Sequence, residues 1–277
     1  MTKMGHVLGI DVGSTTTKIV GLENGEIKSS MLITAADPVT SLFGAFGKYV
    51  YDNNINLEDI EHVMITGVGA SRVKAPIYGL PTTSIDEFIA DGLGARYASG
   101  LNRLVVVSMG TGSTFVRVDG DSIKHIGGIS MGGGTLQGLA RLLVNTYNIN
   151  EVVDIAENGT STNVNLLIGD ICDGIEGLPT HVTASLFGKA RNAHVSDGDV
   201  AAGLIHMILE TIGCCAYMSQ VNGEGGIKDF VLIGNLTLLP QCKEVFTSLE
   251  NLYGIRCVIP EHAEFCTALG AALAYKK

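Results

Sequence analysis

The sequence predicts an α/β fold whose second half repeats the plan of the first. Three observations carry this. Short apolar runs of strand length alternate with amphipathic runs of helical period in both halves of the chain. Each half opens on a strand, a turn rich in glycine and hydroxyl residues, and a returning strand. The 277 residues are 46% apolar, with 36 glycines and 6 prolines in no repeating period, which describes a globular chain long enough for one large core or two smaller ones.

His6 to Asp11 reads as an apolar strand ending in an acid, and Gly13-Ser14-Thr15-Thr16-Thr17 as the turn after it. Lys18 to Leu22 and Ile27 to Ile33 follow as antiparallel strands, joined through the Asn24-Gly25 turn. Such a turn offers phosphate oxygens both backbone N–H groups and side-chain donors, and Asp11 stands where a hydrated Mg²⁺ would need a carboxylate. Asp37-Pro38 opens a helix through about Tyr51, with Val39, Leu42, Phe43, Phe46 and Val50 at helical spacing. Val63 to Gly67 is a strand added in parallel. A helix from about Phe88 to Ala98 comes next, with Ser84 as its N-cap and Glu87 three residues on. By spacing alone, Glu87 is either half of a capping box or an acid turned inward for chemistry.

The central stretch, Arg103 to Leu143, repeats the opening plan. Leu104 to Ser108, Thr114 to Val118 and Ser122 to Ile126 read as strands, separated by Gly110-Thr111-Gly112-Ser113 and Asp119-Gly120-Asp121. Gly132-Gly133-Gly134 leads to a helix beginning near Thr135. A glycine turn lets backbone N–H groups approach a ligand, and a helix start adds unpaired donors and partial positive charge, so the two devices predict a polyphosphate site. Helices are expected over 135–147, 151–157, 165–171, 184–187 and 199–220, then a strand over 231–234. Asn235 lies in a turn, followed by a helix over 241–252, a strand over 256–259 and a last helix over 264–274. The expected domains are 1–100, with the terminal helix 264–277 packing back on it, and 101–263, with a helical insertion over about 135–220.

A net charge of −10 argues against a nucleic-acid or acidic-membrane surface, so an anionic ligand must be held locally. The cysteines, at 172, 214, 215, 242, 257 and 266, form no C-x-x-C pair and no zinc spacing. Scattered thiols without a signal peptide point to a reducing cytoplasm. The apolar run Ala201 to Val221 carries His206 and Glu210 near its middle, which favours a core or dimer helix over a membrane span.

Motifs along nearly the whole chain resemble those of the type II pantothenate kinases. They are G-I-D-x-G-x-T-x-x-K at Gly9 to Lys18, D-E-F at Asp86 to Phe88, M-G-T-G-S-T at 109 to 114, and G-G-I-S-M-G-G-G-T-x-x-G-L at 127 to 139. N-G-T-S-T-N-V at 158 to 164, A-S-L-F-G at 184 to 188, I-G-N at 233 to 235 and A-L-G-A-A at 268 to 272 complete the set. The resemblance implies the duplicated actin-like ATPase (ribonuclease H-like) fold, with an ATP cleft between two lobes. It also implies transfer of phosphate from ATP, with Mg²⁺, to the primary hydroxyl of pantothenate or a related pantoyl compound, the first step of coenzyme A biosynthesis.

Carried over residue by residue, Asp11, Gly13, Ser14, Thr15, Thr16 and Lys18 match the first phosphate and metal site, and Gly110, Thr111, Gly112 and Ser113 the second phosphate turn. Gly132, Gly133, Gly134, Thr135, Gly234 and Asn235 match the nucleotide walls. Glu87 matches the catalytic carboxylate. Thr111 and Thr114 match substrate-pocket residues, and Thr183 and Ala184 a segment reaching the pocket of the partner in a homodimer. Two positions depart: His125 stands where the family has an Arg that reaches pantothenate, and Thr267 where Gly is common. Arg117 or Arg191 could fill the gap left by that Arg. The alternatives are a kinase with a different small hydroxyl acceptor, an activator ATPase or ATP-binding regulator of the same superfold, and a binding protein without turnover. The activator lacks its expected cluster cysteines here, and the zinc-bearing sugar kinases their Cys/His motif.

Overall fold

The computed structural model describes residues 5–34, 37–73, 76–174, 176–191, 194–221 and 226–275. Two five-stranded sheets repeat one plan. In the first, β1 (His6–Val12), β2 (Thr16–Glu23) and β3 (Glu26–Thr34) form an antiparallel meander, and β4 (Ile60–Thr66) and β5 (Thr82–Ser84) add in parallel, giving the order β3-β2-β1-β4-β5. Alternation along β1 sends Leu8, Ile10 and Val12 to one face, where they pack against Leu42, Ala45, Phe46 and Tyr49 of α1 (Pro38–Asp52). Gly9 and Asp11 take the other face. The Asp37 carboxylate accepts from Thr40 N at 2.7 Å and Pro38 occupies the first turn, so the predicted start of α1 is found.

The second sheet contains β6 (Arg103–Met109), β7 (Ser113–Asp119) and β8 (Ser122–Ile129) as its meander, with β11 (Asp229–Ile233) and β12 (Arg256–Val258) parallel to β6, in the order β12-β11-β6-β7-β8. Val105, Val107 and Met109 face a core built with α3 (Gly133–Leu143), α4 (Ile149–Ala156), α5 (Asp197–Val221) and α6 (Pro240–Tyr253). Leu104 and Val106 face the opposite way, onto α2 (Glu87–Ser99). The last helix, α7 (Cys266–Leu273), covers the free face of the first sheet through Ala268, Leu269 and Ala272 against Val20 and Leu22. Helices α2 and α7 therefore lie back to back between the sheets. Their backbones touch: a Cβ on Gly94 would fall 1.8 Å from the Cys266 carbonyl oxygen, and one on Gly270 1.8 Å from that of Ala90. Residues 276 and 277 of the expected terminal helix lie outside the described residues.

Two expectations are corrected. Ser84 is not the N-cap of α2 but the last residue of β5; Asp86 caps the helix, its Oδ1 accepting from Phe88 N at 2.9 Å and Ile89 N at 3.2 Å. Residues 165–171 and 184–187 form no α-helix, and of the first run only Ile168–Asp170 makes a 3₁₀ turn. β9 (Leu166–Leu167) pairs antiparallel with β10 (Thr183–Ser185), so the insertion carries a small two-stranded sheet, and runs too short to sustain helical hydrogen bonding take the extended form instead. Of the two readings of Ala201 to Val221, a core or a dimer helix, the core reading is found. Ala201, Leu204, Ile205, Ile208, Leu209, Ile212 and Ala216 are covered by this chain's own sheet and helices, so their burial requires no second copy. By length and apolarity α5 passes for a membrane span, but half of its most apolar stretch is buried in the fold, as a core helix is.

Candidate active site

The two hydroxyl- and glycine-rich turns converge. Gly13 N donates to Thr16 O at 2.9 Å to close the first, Gly110 N to Gly112 O at 2.9 Å to close the second, and Ser14 Oγ is hydrogen-bonded to Thr111 Oγ1 at 2.6 Å across the gap. Ser113 is buried and donates to Met131 O at 2.9 Å, fixing the second turn to the approach to α3. That approach requires glycine: a Cβ on Gly132 would sit 2.6 Å from Thr111 O and 2.7 Å from Gly110 O. Gly133 N and Gly134 N donate to Gly110 O and Thr111 O, and Thr135 lies in the first turn of α3, its hydroxyl directed back to Ser130 O at 3.4 Å.

A cavity of about 790 Å³ opens beside these turns. Thr15, Thr16, Gly110, Thr111, Gly133, Gly134 and Asn235 all line it. Asn235 follows Gly234, whose φ of 93° turns the chain out of β11, and its side-chain Oδ1 is buried with no hydrogen-bond partner. Tyr147, Asn148, Asp154 and Leu238 complete the cavity without having been singled out in the sequence. They come from the α3–α4 link, α4 and the turn after β11, which no local pattern brings together.

At the inner end of the turns, Asp11 and Lys18 are cross-strand neighbours, both buried, with Lys18 Nζ 3.7 Å from Asp11 Oδ2. Burial raises the Asp11 carboxyl above its ordinary range, against the pull of the Lys18 charge. Glu87, freed from capping, is half-buried at the first turn of α2. Burial first, then the charges of Asp11 and Asp86, push its carboxyl up to about 7, with Lys18 opposing. The structure therefore brings Asp11, Lys18 and Glu87 into one electrostatic cluster. Asp91, not predicted, belongs to it as well: it is completely buried, its carboxyl raised to about 7 chiefly by burial. An acid one helical turn after Glu87 among Ala90, Gly92, Gly94 and Ala95 was the available signal.

Thr114 pairs with Ser108 across β6 and β7, which places it on the sheet face that α2 covers. His125 pairs with Val116 on that same face, and its ring stacks on Phe88, centroids 4.2 Å apart and planes at 17°. Arg117 pairs with Lys124 on the opposite face and lies 3.6 Å from Asp119, so it does not reach toward His125. Arg191 is exposed. Thr183 and Ala184 do not join this cluster within one chain. Ala184 is exposed, and Thr183 Oγ1 lies 3.3 Å from His206 Nε2 on α5.

Two duplicated sheets, a pair of facing turns and a cavity between them define an actin-like ATPase and sugar-kinase fold. Among solved structures, the activator of the 2-hydroxyisocaproyl-CoA dehydratase from Clostridium difficile with bound ADPNP superposes with a TM-score of 0.69 over 97% of this chain and 93% of its own, at 18% identity, a likeness of fold. The profile of the Fumble family matches residues 99–274. The chain belongs to that family, the type II pantothenate kinases. It is similar to type II pantothenate kinase of Staphylococcus saprophyticus, 27% identical over 95% of this chain and 98% of that one. It is also similar to pantothenate kinase 1 of Arabidopsis thaliana, 36% identical over 42% of this chain, which spans 33% of the length of that larger protein.

Proposed function

We propose that the protein is an ATP-dependent kinase that phosphorylates the primary hydroxyl of pantothenate or a related pantoyl compound. The observation that carries this is Glu87, a half-buried carboxyl held at about 7 in one cluster with Asp11 and Lys18, the residues that flank the first phosphate-type turn. A base poised near neutral pH takes the proton of an attacking hydroxyl at a cost its environment has already lowered. Phosphoryl transfer has a loose transition state, so most of the rate comes from positioning and charge neutralisation, which the two turns supply through backbone N–H groups and Lys18. The nucleotide lies along the glycine walls, where Thr15, Gly110, Gly133 and Asn235 line the cavity and Gly132 lets the approach to α3 close on the second turn.

The donor set fits Mg²⁺. Among the described residues no three metal-ligating side chains cluster, and Mg²⁺ bound with a nucleotide needs only one or two carboxylates besides phosphates and waters. Asp11 is the carboxylate that would hold it, and the ion supplies charge neutralisation on the phosphates. Thr114 and His125 line the acceptor site on the α2 face of the second sheet, and Thr111 meets it from the turn between β6 and β7. Thr183 and Ala184 reach a partner's pocket in a homodimer, a reading supported by the exposure of Ala184. Lobes of 1–100 and 101–263, with the terminal helix returned to the first, and a cytoplasmic location complete it.

The acceptor is tested with a panel of pantothenate, pantetheine, sugars and short hydroxy acids with MgATP, read as labelled phosphate on the acceptor. Transfer to pantothenate or pantetheine is expected. Efficient transfer to another hydroxyl compound alone would overturn the pantoyl acceptor and leave the kinase.

A further inference from the structure

Asp91 has no place in the chemistry above, yet it is expensive to keep. It is completely buried, and burying a carboxyl with an unmatched oxygen costs more than burying an apolar side chain of the same size. Thr267 Oγ1 on α7 donates to Asp91 Oδ1 at 2.6 Å, Ser108 of β6 adds a further side-chain hydrogen bond, and Asp91 Oδ2 has no partner. Thr267 is the residue that departs from the family's common Gly. The pair sits within the backbone contact of α2 and α7 around Gly94 and Gly270. Helix α7 is seated equally closely on β1, where a Cβ on Gly9 would fall 2.0 Å from Ala268 O. A rigid stack thus runs from Asp11 on β1, through α7, to Glu87 on α2. Asp91 lies one turn beyond Glu87, on the same side of its helix.

We propose that Asp91 and Thr267 form a positioning pair that locks the register of α2 on α7 and thereby fixes Glu87 relative to Asp11 and the acceptor hydroxyl; this rests on Glu87 being the base. A helix pair packed through glycines brings its backbones into direct contact, so any change of register at α7 is carried to the first turn of α2. A single buried hydrogen bond across that contact sets the register. Glu87 stands at the first turn of α2, and a small displacement there moves its carboxylate out of reach of the hydroxyl proton. The charged or titratable groups around Asp91 are Glu87 on its own helix, Asp11 on β1 and Cys266 on α7; the hydroxyls of Ser108 and Thr267 complete its surroundings. The carboxylates of Asp91 and Glu87 repel, so ionising one disfavours ionising the other.

Thr267→Val removes the donor and keeps the shape; Thr267→Ser keeps the donor. Asp91→Asn keeps the acceptor and removes the charge. For folded protein, Thr267→Val is expected to lower kcat roughly ten-fold with KM for ATP nearly unchanged, and Thr267→Ser to restore kcat to within about two-fold of wild type. Asp91→Asn is expected to move the acid limb of kcat to lower pH, because Glu87 then ionises beside one fewer negative charge. Wild-type kcat in Thr267→Val together with an unmoved limb in Asp91→Asn would overturn the pair, whatever the melting temperatures. Should Thr267→Val not fold, Thr267→Ala takes its place, and a wild-type kcat there overturns the pair. If the wild-type protein phosphorylates nothing, the kinase reading fails separately, and carboxyl NMR titration of Asp91 still decides: a raised midpoint in the variant lacking the Thr267 hydroxyl supports the pair, and an unchanged one overturns it.

Discussion

The hydroxyls of Ser14 and Thr111 are hydrogen-bonded at 2.6 Å, joining the hairpin turn of the first sheet to that of the second. The contact is exposed and lies at the mouth of the nucleotide cavity, so a polyphosphate entering between the turns would exchange this bond for bonds to its own oxygens. Ser14→Ala is expected to raise KM for ATP by about three- to ten-fold with a smaller effect on kcat, the range set by a hydrogen bond worth about 0.5–1.5 kcal/mol. Unchanged nucleotide affinity by calorimetry would make the contact a packing detail of the empty cleft.

Glu87→Gln preserves shape and loses the proton acceptor. Nucleotide binding should persist while transfer falls by about 10²- to 10⁴-fold. Retention of more than about a tenth of wild-type turnover, with chemistry limiting, would remove Glu87 from the role of base.

The same carboxyl sets a pH dependence. With Glu87 at about 7, kcat should rise through neutral pH as the base ionises. Stability runs the other way. The carboxyls of Glu87 and Asp91 have ordinary values of 4.5 and 3.8 when unfolded and are pushed up to about 7 each when folded, so the folded protein holds extra protons between those limits. Their contribution is fully present below the unfolded values and is lost as pH rises through about 7. Melting temperature should therefore fall between pH 5 and pH 8, and less steeply in Asp91→Asn, as followed by calorimetry at intervals of about one pH unit.

Asp11→Asn removes the formal charge nearest the phosphate turns and leaves Lys18 without its counter-charge. A steeper Mg²⁺ requirement for ATP use is expected, measured as the Mg²⁺ concentration giving half-maximal transfer. An unaltered requirement would leave Asp11 a structural partner of Lys18.

His125 stacks on Phe88, the neighbour of Glu87, where an Arg in the family reaches pantothenate. A charged donor at such a contact is worth about 1.5–3 kcal/mol, so His125→Arg should improve kcat/KM for pantothenate by roughly one to two orders of magnitude. No gain, with another acceptor turned over efficiently, would assign this chain a substrate that needs no guanidinium fork.

The sequence by itself determined the strands, the two phosphate-type turns and nearly every helix of the frame, because these follow from local periodicity and turn chemistry. Gly132 and the run before α3 were legible for that reason, and so was Glu87 as a candidate, though spacing left it balanced between capping and catalysis. The tertiary structure settled only the capping half of that question: Asp86 takes the capping bonds, and burial and the Asp11 charge raise the Glu87 carboxyl. It also decided the fate of 165–171 and 184–187, too short to choose helix or strand until β9 and β10 met. Asp91 and Thr267 are 176 positions apart, and only the packing of α7 between the sheets makes them neighbours. Local pattern fixes what each segment is; burial and long-range contact fix which acids face one another, and that sets their charge.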